Sequence, residues 1–388
     1  MRTEVLVVGG GATGAGVARD CAMRGLATLL VERGPLASGT TARFHGQLHS
    51  GARYALADPV SARECVRESA ILRRIAPACI EDTGGVFVLL PGDDPGYPGR
   101  FLPACRAAGV AVEELDPAGI LEQEPALTRD VIRAFGVPDG TLDSVRLVRA
   151  CAASATASGA HILTGRPVTG LRLEAGRVVG AILGDGTSLE AEVVVNAAGA
   201  WAAGLAAMAG GRVPARLSKG VMVAAGHRLV RAVVSRCRLP GDGDALVPLG
   251  GSTIIGTTDT PVTDPDDAVA DDAAVEAMLA AGDELVGGFS SSGPLRAWAA
   301  VRPLVGDGAG GPASPSGGRQ VSRSHRVIDH GEQDGVAGLI TVTGGKATTF
   351  RLMAEEAVDA VCAFLGSPRP CRTAVEALPV EEGLDVAR

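Results

Sequence analysis

Aromatic side chains are scarce in this chain of 388 residues, with Phe, Tyr and Trp together at 3%. Its interior must therefore be filled by Val, Leu, Ile and Ala, which suits buried strands and close helix–sheet contacts. Positive charge is also in deficit. The formal net charge is −8, no basic stripe breaks the acidity, and the only lysines are Lys219 and Lys346. Nucleic acid is excluded as an expected partner. A small anionic substrate is not, because a pocket can be basic inside an acidic protein. No Cys-x-x-Cys occurs. Cys21, Cys65, Cys79, Cys105, Cys151, Cys237, Cys362 and Cys371 are scattered, without zinc or iron–sulfur spacing, so no resident metal is expected. They read as reduced, mostly buried thiols of a reducing compartment. Long apolar runs are missing too. The one uncharged stretch, residues 193–211, is mainly Ala and Gly around Asn196, whereas a spanning helix needs ~20 strongly apolar residues. The first strand is expected four residues from Met1, which leaves no room for a signal peptide. The expectation is a cytoplasmic protein, at most peripheral on the inner face of the membrane.

What is present is a globular composition, 46% hydrophobic and 21% charged with 54 glycines, in a length that suits two domains of ~100–200 residues. The chain opens with an apolar strand to Val8, the turn Gly9-Gly10-Gly11-Ala12-Thr13-Gly14, a helical stretch to Arg24, and a strand Ala27–Val31 ending on Glu32. That is the strand–helix–strand unit of a parallel sheet. From Gly84 the pattern changes to a short strand at Val86–Leu90, a turn-rich stretch at Gly92–Gly99, an expected helix followed by the segment Val110–Leu115, and a helix over Ser144–Ser158. A meander follows: His161–Leu163, Val168–Leu173, Val178–Leu183 and Leu189–Val195, closing on Asn196-Ala197-Ala198-Gly199. Residues 213–305 read as a second sheet-bearing region, with strands near Gly220–Ala224 and Ser252–Gly256 and a helix over Asp272–Leu285. Residues 306–318 are rich in Gly, Pro and Ser and are expected to be a loop. Gly338–Val342 is a strand, and Gly344-Gly345 is expected to open a helix reaching Leu365.

The Gly9, Gly11, Gly14 motif has the context that gives it meaning: a buried strand before, a helix after, and Glu32 at the end of the next strand. Gly9 permits the turn, Gly11 lets the backbone approach a pyrophosphate, and Gly14 lets helix and strand pack. The helix N-terminus offers free N–H groups to the phosphates. Glu32 can accept both ribose hydroxyls, which disfavours a 2′-phosphate. A dinucleotide site follows. After Glu32 the chain runs into a polar, Gly-rich stretch instead of further strand–helix units, and the later meander ends in Asn-Ala-Ala-Gly. Both features look like the two-dinucleotide-binding-domain flavoproteins, so FAD is preferred to NAD. A second constellation spans Arg43 to Tyr54, with His45, His49, Arg53 and Tyr54 among small residues. A third is Thr341 to Thr349, where a strand meets a helix start carrying Lys346. Arg302 and Arg323 are isolated arginines that gain meaning only in combination with these loops.

At these residues the chain resembles the FAD-dependent glycerol-3-phosphate dehydrogenases of the D-amino-acid-oxidase-like flavoprotein superfamily. Gly9–Arg24, His45–Glu64 and Thr341–Glu355 carry the likeness, and residues 45–65 are especially similar to the catalytic subunit of the anaerobic type. The segment beginning at Val234 and the run Ile255-Gly256-Thr257-Thr258-Asp259 add to it, so the match extends over about residues 3 to 378. The resemblance implies an α/β fold with a Rossmann-like FAD domain (1–83, 141–211 and 321–366), an inserted antiparallel-sheet substrate domain (84–140 and 212–320), and a C-terminal tail (367–388). It implies oxidation of sn-glycerol 3-phosphate to dihydroxyacetone phosphate, with a hydride passing to flavin N5. The FAD contacts implied are Gly9, Gly11, Ala12, Thr13, Gly14, Glu32, Arg33, Thr40, Thr41, Gly46, Gln47, Leu48, Ala198, Gly199, Gly344, Gly345, Lys346, Ala347 and Thr348. The implied catalytic residues are His49 as the base, Arg302 toward the C2 oxygen, and Lys346, and the implied substrate contacts are Arg53, Tyr54, Arg323 and Lys346.

The chemistry agrees. A secondary alcohol that gives up a hydride needs a base for its hydroxyl proton, and a phosphate needs several cations. Two departures stand out. Ala347 and Phe350 replace a bulkier and a hydroxylated residue of the family's helix start, and the cysteine-rich extension with an iron–sulfur centre does not follow. The electron acceptor is then expected to be a separate iron–sulfur partner or a quinone. The competing readings are an FAD-dependent amine or 2-hydroxy-acid oxidoreductase, which also needs an arginine, and a non-catalytic FAD subunit that relays electrons.

Overall fold

A computed structural model describes residues 2–305 and 324–380. Its first strand, β1 (Arg2–Val8), is buried from Val5 to Val8. It runs parallel to a neighbour on each side: β2 (Thr28–Val31) and the strand Ser188–Asn196. Burial on both faces is why this segment is apolar without alternation. Between β1 and β2 the helix α1 (Ala12–Met23) crosses the sheet. The strand Ser188–Asn196 divides its free edge. Its first half takes an antiparallel ribbon, Arg177–Leu183 followed by Val168–Glu174, and its second half pairs in parallel with Leu339–Gly344. The carboxyl ends of four parallel strands therefore lie together, at Val8, Val31, Asn196 and Gly344. In open sheets of this kind ligands bind at that end.

One face of this sheet is covered by α1, Ser144–Ala157 and Phe350–Phe364, with Val17, Ala18 and Cys21 packed against Val193, Val195, Val358 and Val361. Each fully buried valine contributes about 1.5–3 kcal/mol. Two expectations are corrected here. His161–Leu163 does not belong to the meander. The helix Ser144–Ala157 carries the chain across the sheet, and this strand joins the far edge, parallel to β2. A strand of three residues carries no mark of which edge it will join. The helix expected from Gly344 begins at Phe350, after a 3-10 turn over Ala347–Thr349. Gly344 and Gly345 have φ of +79° and +76°, outside the helical basin, so they make a turn instead of a first helical turn.

The second sheet is built on Ala215–Ala225, paired along its whole length with Leu295–Val305. Its other edge takes Ser252–Gly256 and Thr260–Val262. Beyond these follow Ala245–Leu249, Val233–Arg236, Gly85–Leu89, Arg133–Val137 and Glu113–Leu115. All neighbours are antiparallel except Val233–Arg236 beside Gly85–Leu89. The helix Asp272–Leu285 closes the core through Met278 and Leu285, against Val221, Val223 and Ile255. The expected class, an α/β flavoprotein-like fold with an antiparallel-based second sheet, is the one observed.

All eight cysteines are free thiols and seven are buried. Burial pushes Cys65, Cys105 and Cys151 up to about 12, so they stay un-ionised. Within the expected tail, residues 369–378 are tied back onto the fold. The Arg19 guanidinium donates to Thr373 O and Glu376 O, and Leu378 N–H donates to Ile75 O at 2.7 Å. Residues 381–388 of that tail and the expected loop 306–318 lie outside the described residues. No helix among the described residues is long and apolar enough to cross a membrane.

Candidate functional site

The site begins where β1 turns into α1. Gly9 has φ +112°, and a Cβ on it would stand 2.5 Å from Ala197 O; a Cβ on Gly14 would stand 1.8 Å from Gly9 O. Backbone thus packs on backbone here, and the 197–199 turn is drawn against the glycine turn. Ala12 N–H donates to Thr41 Oγ1 at 3.1 Å. Thr13 and Gly14 lie in the first helical turn, where N–H groups have no partner within the helix. These groups and the dipole end form an anion cradle. Glu32 accepts from Gly10 N–H at 2.6 Å through one oxygen and from Gly34 N–H at 2.8 Å through the other. A carboxylate has about four lone-pair sites, so capacity remains for a ribose. A dinucleotide fits this set. Arg33 is held aside, stacked on Trp201 at 3.9 Å and facing Asp266 at 3.5 Å.

From this turn a cavity of about 730 Å³ runs between the two sheets. The first turn of α1, Thr40–Thr41, the 44–54 loop, the glycine turn at 344–345 and strands of the second sheet all contribute to its wall. It brings together His49, Arg53, Tyr54, Arg302 and Lys346 with Ala12, Thr13, Thr40, Thr41, Gln47, Gly199, Gly344, Gly345 and Ala347. Gly46, Leu48, Ala198 and Thr348, expected at the site, are not among the residues that line it. Thr348 is fully buried and its Oγ1 accepts the His49 N–H at 3.1 Å. Gly9, Gly11, Gly14 and Glu32 form the cradle at its end. Arg323 lies outside the described residues.

Among the described residues three cations reach the cavity, and each faces a carboxylate. Arg53 Nη2 is 3.5 Å from Asp244, which is fully buried, and also donates to Gly241 O. Lys346 Nζ is 3.8 Å from Glu64 and 5.2 Å from the Tyr54 ring centroid. Arg302 is held hardest. Its guanidinium donates to Thr257 Oγ1 (2.9 Å), Ser218 Oγ (3.1 Å) and Thr258 O (2.9 Å), with Asp259 at 3.5 Å. It lies over Gly220, where a Cβ would stand 3.1 Å from Arg302 Cζ. The His49 ring meets Tyr54 edge-on, with Nε2 and the phenolic oxygen 3.3 Å apart. Asp139, fully buried, fixes the loop that carries His49: it accepts Gln47 Nε2–H at 3.0 Å and Ser50 N–H at 2.6 Å. Burial raises its carboxyl above the usual range, against these hydrogen bonds. The arrangement offers an anion subsite, a titratable ring beside it, and a dinucleotide cradle at one end.

Sequence reasoning misses the carboxylates Glu64, Asp139, Asp244 and Asp259, and it gives no role to His45 or Thr257. The run Ile255–Asp259 stands out in the sequence only through its resemblance, and it supplies three of the groups around Arg302. No local signal marks Glu64 or Asp244, which reach the site only through the fold.

Residues 4–357 match the family of FAD dependent oxidoreductases. Over 384 residues the chain is 46% identical to the A chain of the anaerobic glycerol-3-phosphate dehydrogenase of Escherichia coli (strain K12), covering 97% of this chain and 70% of that protein. It is 44% identical to the A1 chain of the anaerobic glycerol-3-phosphate dehydrogenase of Haloferax volcanii, covering 99% of this chain and 68% of the relative. Among solved structures, the glycerol-3-phosphate dehydrogenase from Bacillus halodurans complexed with FAD superposes with a TM-score of 0.74 at 27% identity, covering 97% of this chain and 68% of that one.

Proposed function

The chain belongs to the FAD dependent oxidoreductase family, among the anaerobic-type glycerol-3-phosphate dehydrogenases, and we propose that it oxidises sn-glycerol 3-phosphate to dihydroxyacetone phosphate with FAD as its cofactor. The observation that carries this reading is the meeting of His49, Tyr54, Arg53, Arg302 and Lys346 in one cavity that opens from a dinucleotide cradle. Held at that cradle, FAD would supply two-electron acceptance for the hydride that the alcohol carbon gives up.

The chain's own residues do the rest. Arg53 and Lys346 hold the phosphate. The guanidinium presents a rigid fork and the ammonium a compact point charge, and Tyr54 adds a hydroxyl donor. Arg302 cannot swing, because four groups of the second sheet hold it. It therefore suits a fixed partner for the C2 oxygen, favouring charge that develops there. His49 takes the hydroxyl proton. Its position is set on the backbone side by Thr348 and on the ring side by Tyr54. We further propose that the electrons leave to an iron–sulfur partner protein or a quinone. The relatives in Escherichia coli and Haloferax volcanii are each named as one subunit of their enzyme, which supports a partner.

Anaerobic titration of the purified protein with sn-glycerol 3-phosphate tests the reading. Loss of the flavin absorption bands is expected. A bound flavin that stays oxidised overturns the substrate, and a colourless protein that fails to take up FAD overturns the cofactor. Mixing the reduced protein with a quinone analogue, with and without a candidate iron–sulfur protein, separates the two acceptors.

A further inference from the structure

The cavity contains a second histidine that the mechanism above does not use. The His45 ring stands in the wall, its centroid 5.8 Å from the Phe44 ring and 6.2 Å from the His49 ring. Its hydrogen bonding is settled on one side, where the Gln47 backbone N–H donates to Nδ1 at 3.1 Å. A ring nitrogen that accepts carries no proton, so in the neutral imidazole the proton sits on Nε2. The donor that imposes this is itself fixed, since Asp139 holds the Gln47 side chain and the Ser50 N–H of the same loop.

A second proton on His45 is opposed twice. It would turn Nδ1–H against the Gln47 N–H. In addition, burial first, and then the Arg53 and Arg302 cations, push the imidazole far below its ordinary range. Both effects disfavour His45 as a proton acceptor and as an added charge. What it can present to the cavity is one directed N–H, in the field of two guanidinium groups. The ligand group that such a point attracts is an oxyanion. We propose, resting on the substrate assigned above, that His45 is a substrate-binding residue whose Nε2–H donates to a phosphate oxygen of sn-glycerol 3-phosphate, and that it is not the base. The two histidines of the 44–54 loop then divide the work: His49 moves the proton and His45 reads the anion.

The test compares FAD-loaded wild type with His45→Phe and His45→Gln. Rapid anaerobic mixing gives the limiting rate of flavin reduction and the substrate Kd across pH, and competition by inorganic phosphate gives the affinity for the anion alone. His45→Phe is expected to weaken both substrate and phosphate by about 10- to 100-fold, as loss of one donor to a charged acceptor does. The limiting rate and its pH profile should hold. Gln keeps a neutral N–H and should recover binding to within a few-fold. A Phe variant that binds phosphate like wild type overturns the proposal, as does one that loses the acid limb of the rate profile. Selective 15N labelling of histidine in the wild type gives an answer that does not depend on any variant folding. A His45 ring that stays neutral and protonated on Nε2 from about pH 5 to 8 supports the assignment, and one that titrates in that window overturns it. Failure of wild type to be reduced by sn-glycerol 3-phosphate strikes the substrate instead, and the phosphate affinities and the tautomer still decide what His45 does.

Discussion

Adding one methyl group to Gly14 or to Gly11 separates two roles that the glycine turn combines. At Gly14 the new Cβ would stand 1.8 Å from Gly9 O and 3.0 Å from Gly9 C. Both neighbours are backbone, so no rotamer change relieves the clash, and β1 and α1 would have to part by more than about 1 Å. Overpacking of this kind costs about 1–3 kcal/mol, sometimes more, and it is incurred before any ligand arrives. At Gly11 the new Cβ would meet only Thr41 Oγ1, at 3.1 Å, the end of a side chain that can move by a few tenths of an ångström. Gly11 is also the N-cap of α1, where Ala is worse than Gly by about 1 kcal/mol or less. In the proposed cofactor site this is the turn that the pyrophosphate approaches.

The two variants should therefore differ in kind. Apoprotein of Gly14→Ala should melt several degrees below wild type by circular dichroism, while Gly11→Ala should melt close to it. Titration of each apoprotein with FAD, followed by quenching of flavin fluorescence, should show Gly11→Ala weakened by about 5- to 150-fold, the equivalent of 1–3 kcal/mol. A Gly11→Ala protein with wild-type affinity would mean that the phosphates do not lie on this turn. A Gly14→Ala apoprotein with wild-type melting would refute the backbone packing from which the cradle is derived.

His49→Ala should slow flavin reduction by about 100-fold or more with FAD still bound at full stoichiometry, and normal reduction rates in that variant would remove His49 as the base. Glu68→Gln should destabilise the protein by about 1–3 kcal/mol, because Arg351 is buried and makes two 2.7 Å hydrogen bonds to that carboxylate while keeping Glu355 as a second partner; a melting temperature within a degree of wild type contradicts this. Asp334 is held below the usual carboxylate range, first by the Arg212 backbone N–H and then by His330. Its folded pKa is depressed, so its stabilisation is present above the unfolded value of about 4 and is lost as pH falls through the folded one. Asp334→Asn should thus melt below wild type at pH 7, with the gap closing in acid; a gap that widens there would reverse the sign of the linkage.

The parts of this molecule that the sequence reveals are those whose requirements are local. Gly9, Gly14 and Glu32 are recognisable because turn, helix start and strand end all lie within one strand–helix–strand unit. Arg302 is visible as an arginine between apolar residues, but its function depends on Ser218 across the strand pair and on Thr257–Asp259 at the end of another strand. Lys346 is conspicuous for its rarity, yet nothing near it names Glu64 as its partner. His45 shows the limit most clearly. Its residue type says acid–base chemistry, and the Gln47 N–H on Nδ1 says the opposite. Only the folded loop makes that bond.

Among the described residues each cation of the cavity is paired with a carboxylate, which is how an acidic protein can hold an anion site. The three contacts, at 3.5, 3.5 and 3.8 Å, are looser than the 2.7–2.9 Å of a tight charge-assisted bond. The acids therefore orient the cations and offset part of their charge without closing on them. Three uncompensated cations in a half-buried cavity would repel one another and weaken the fold. Three tightly closed ion pairs would leave a phosphate little to gain. The intermediate spacing offsets part of the charge on each cation, while a dianion entering at Arg53 and Lys346 can make shorter contacts than Asp244 and Glu64 do. A monoanion of the same size gains less from that exchange, so the paired acids also contribute to selecting a phosphate over a carboxylate.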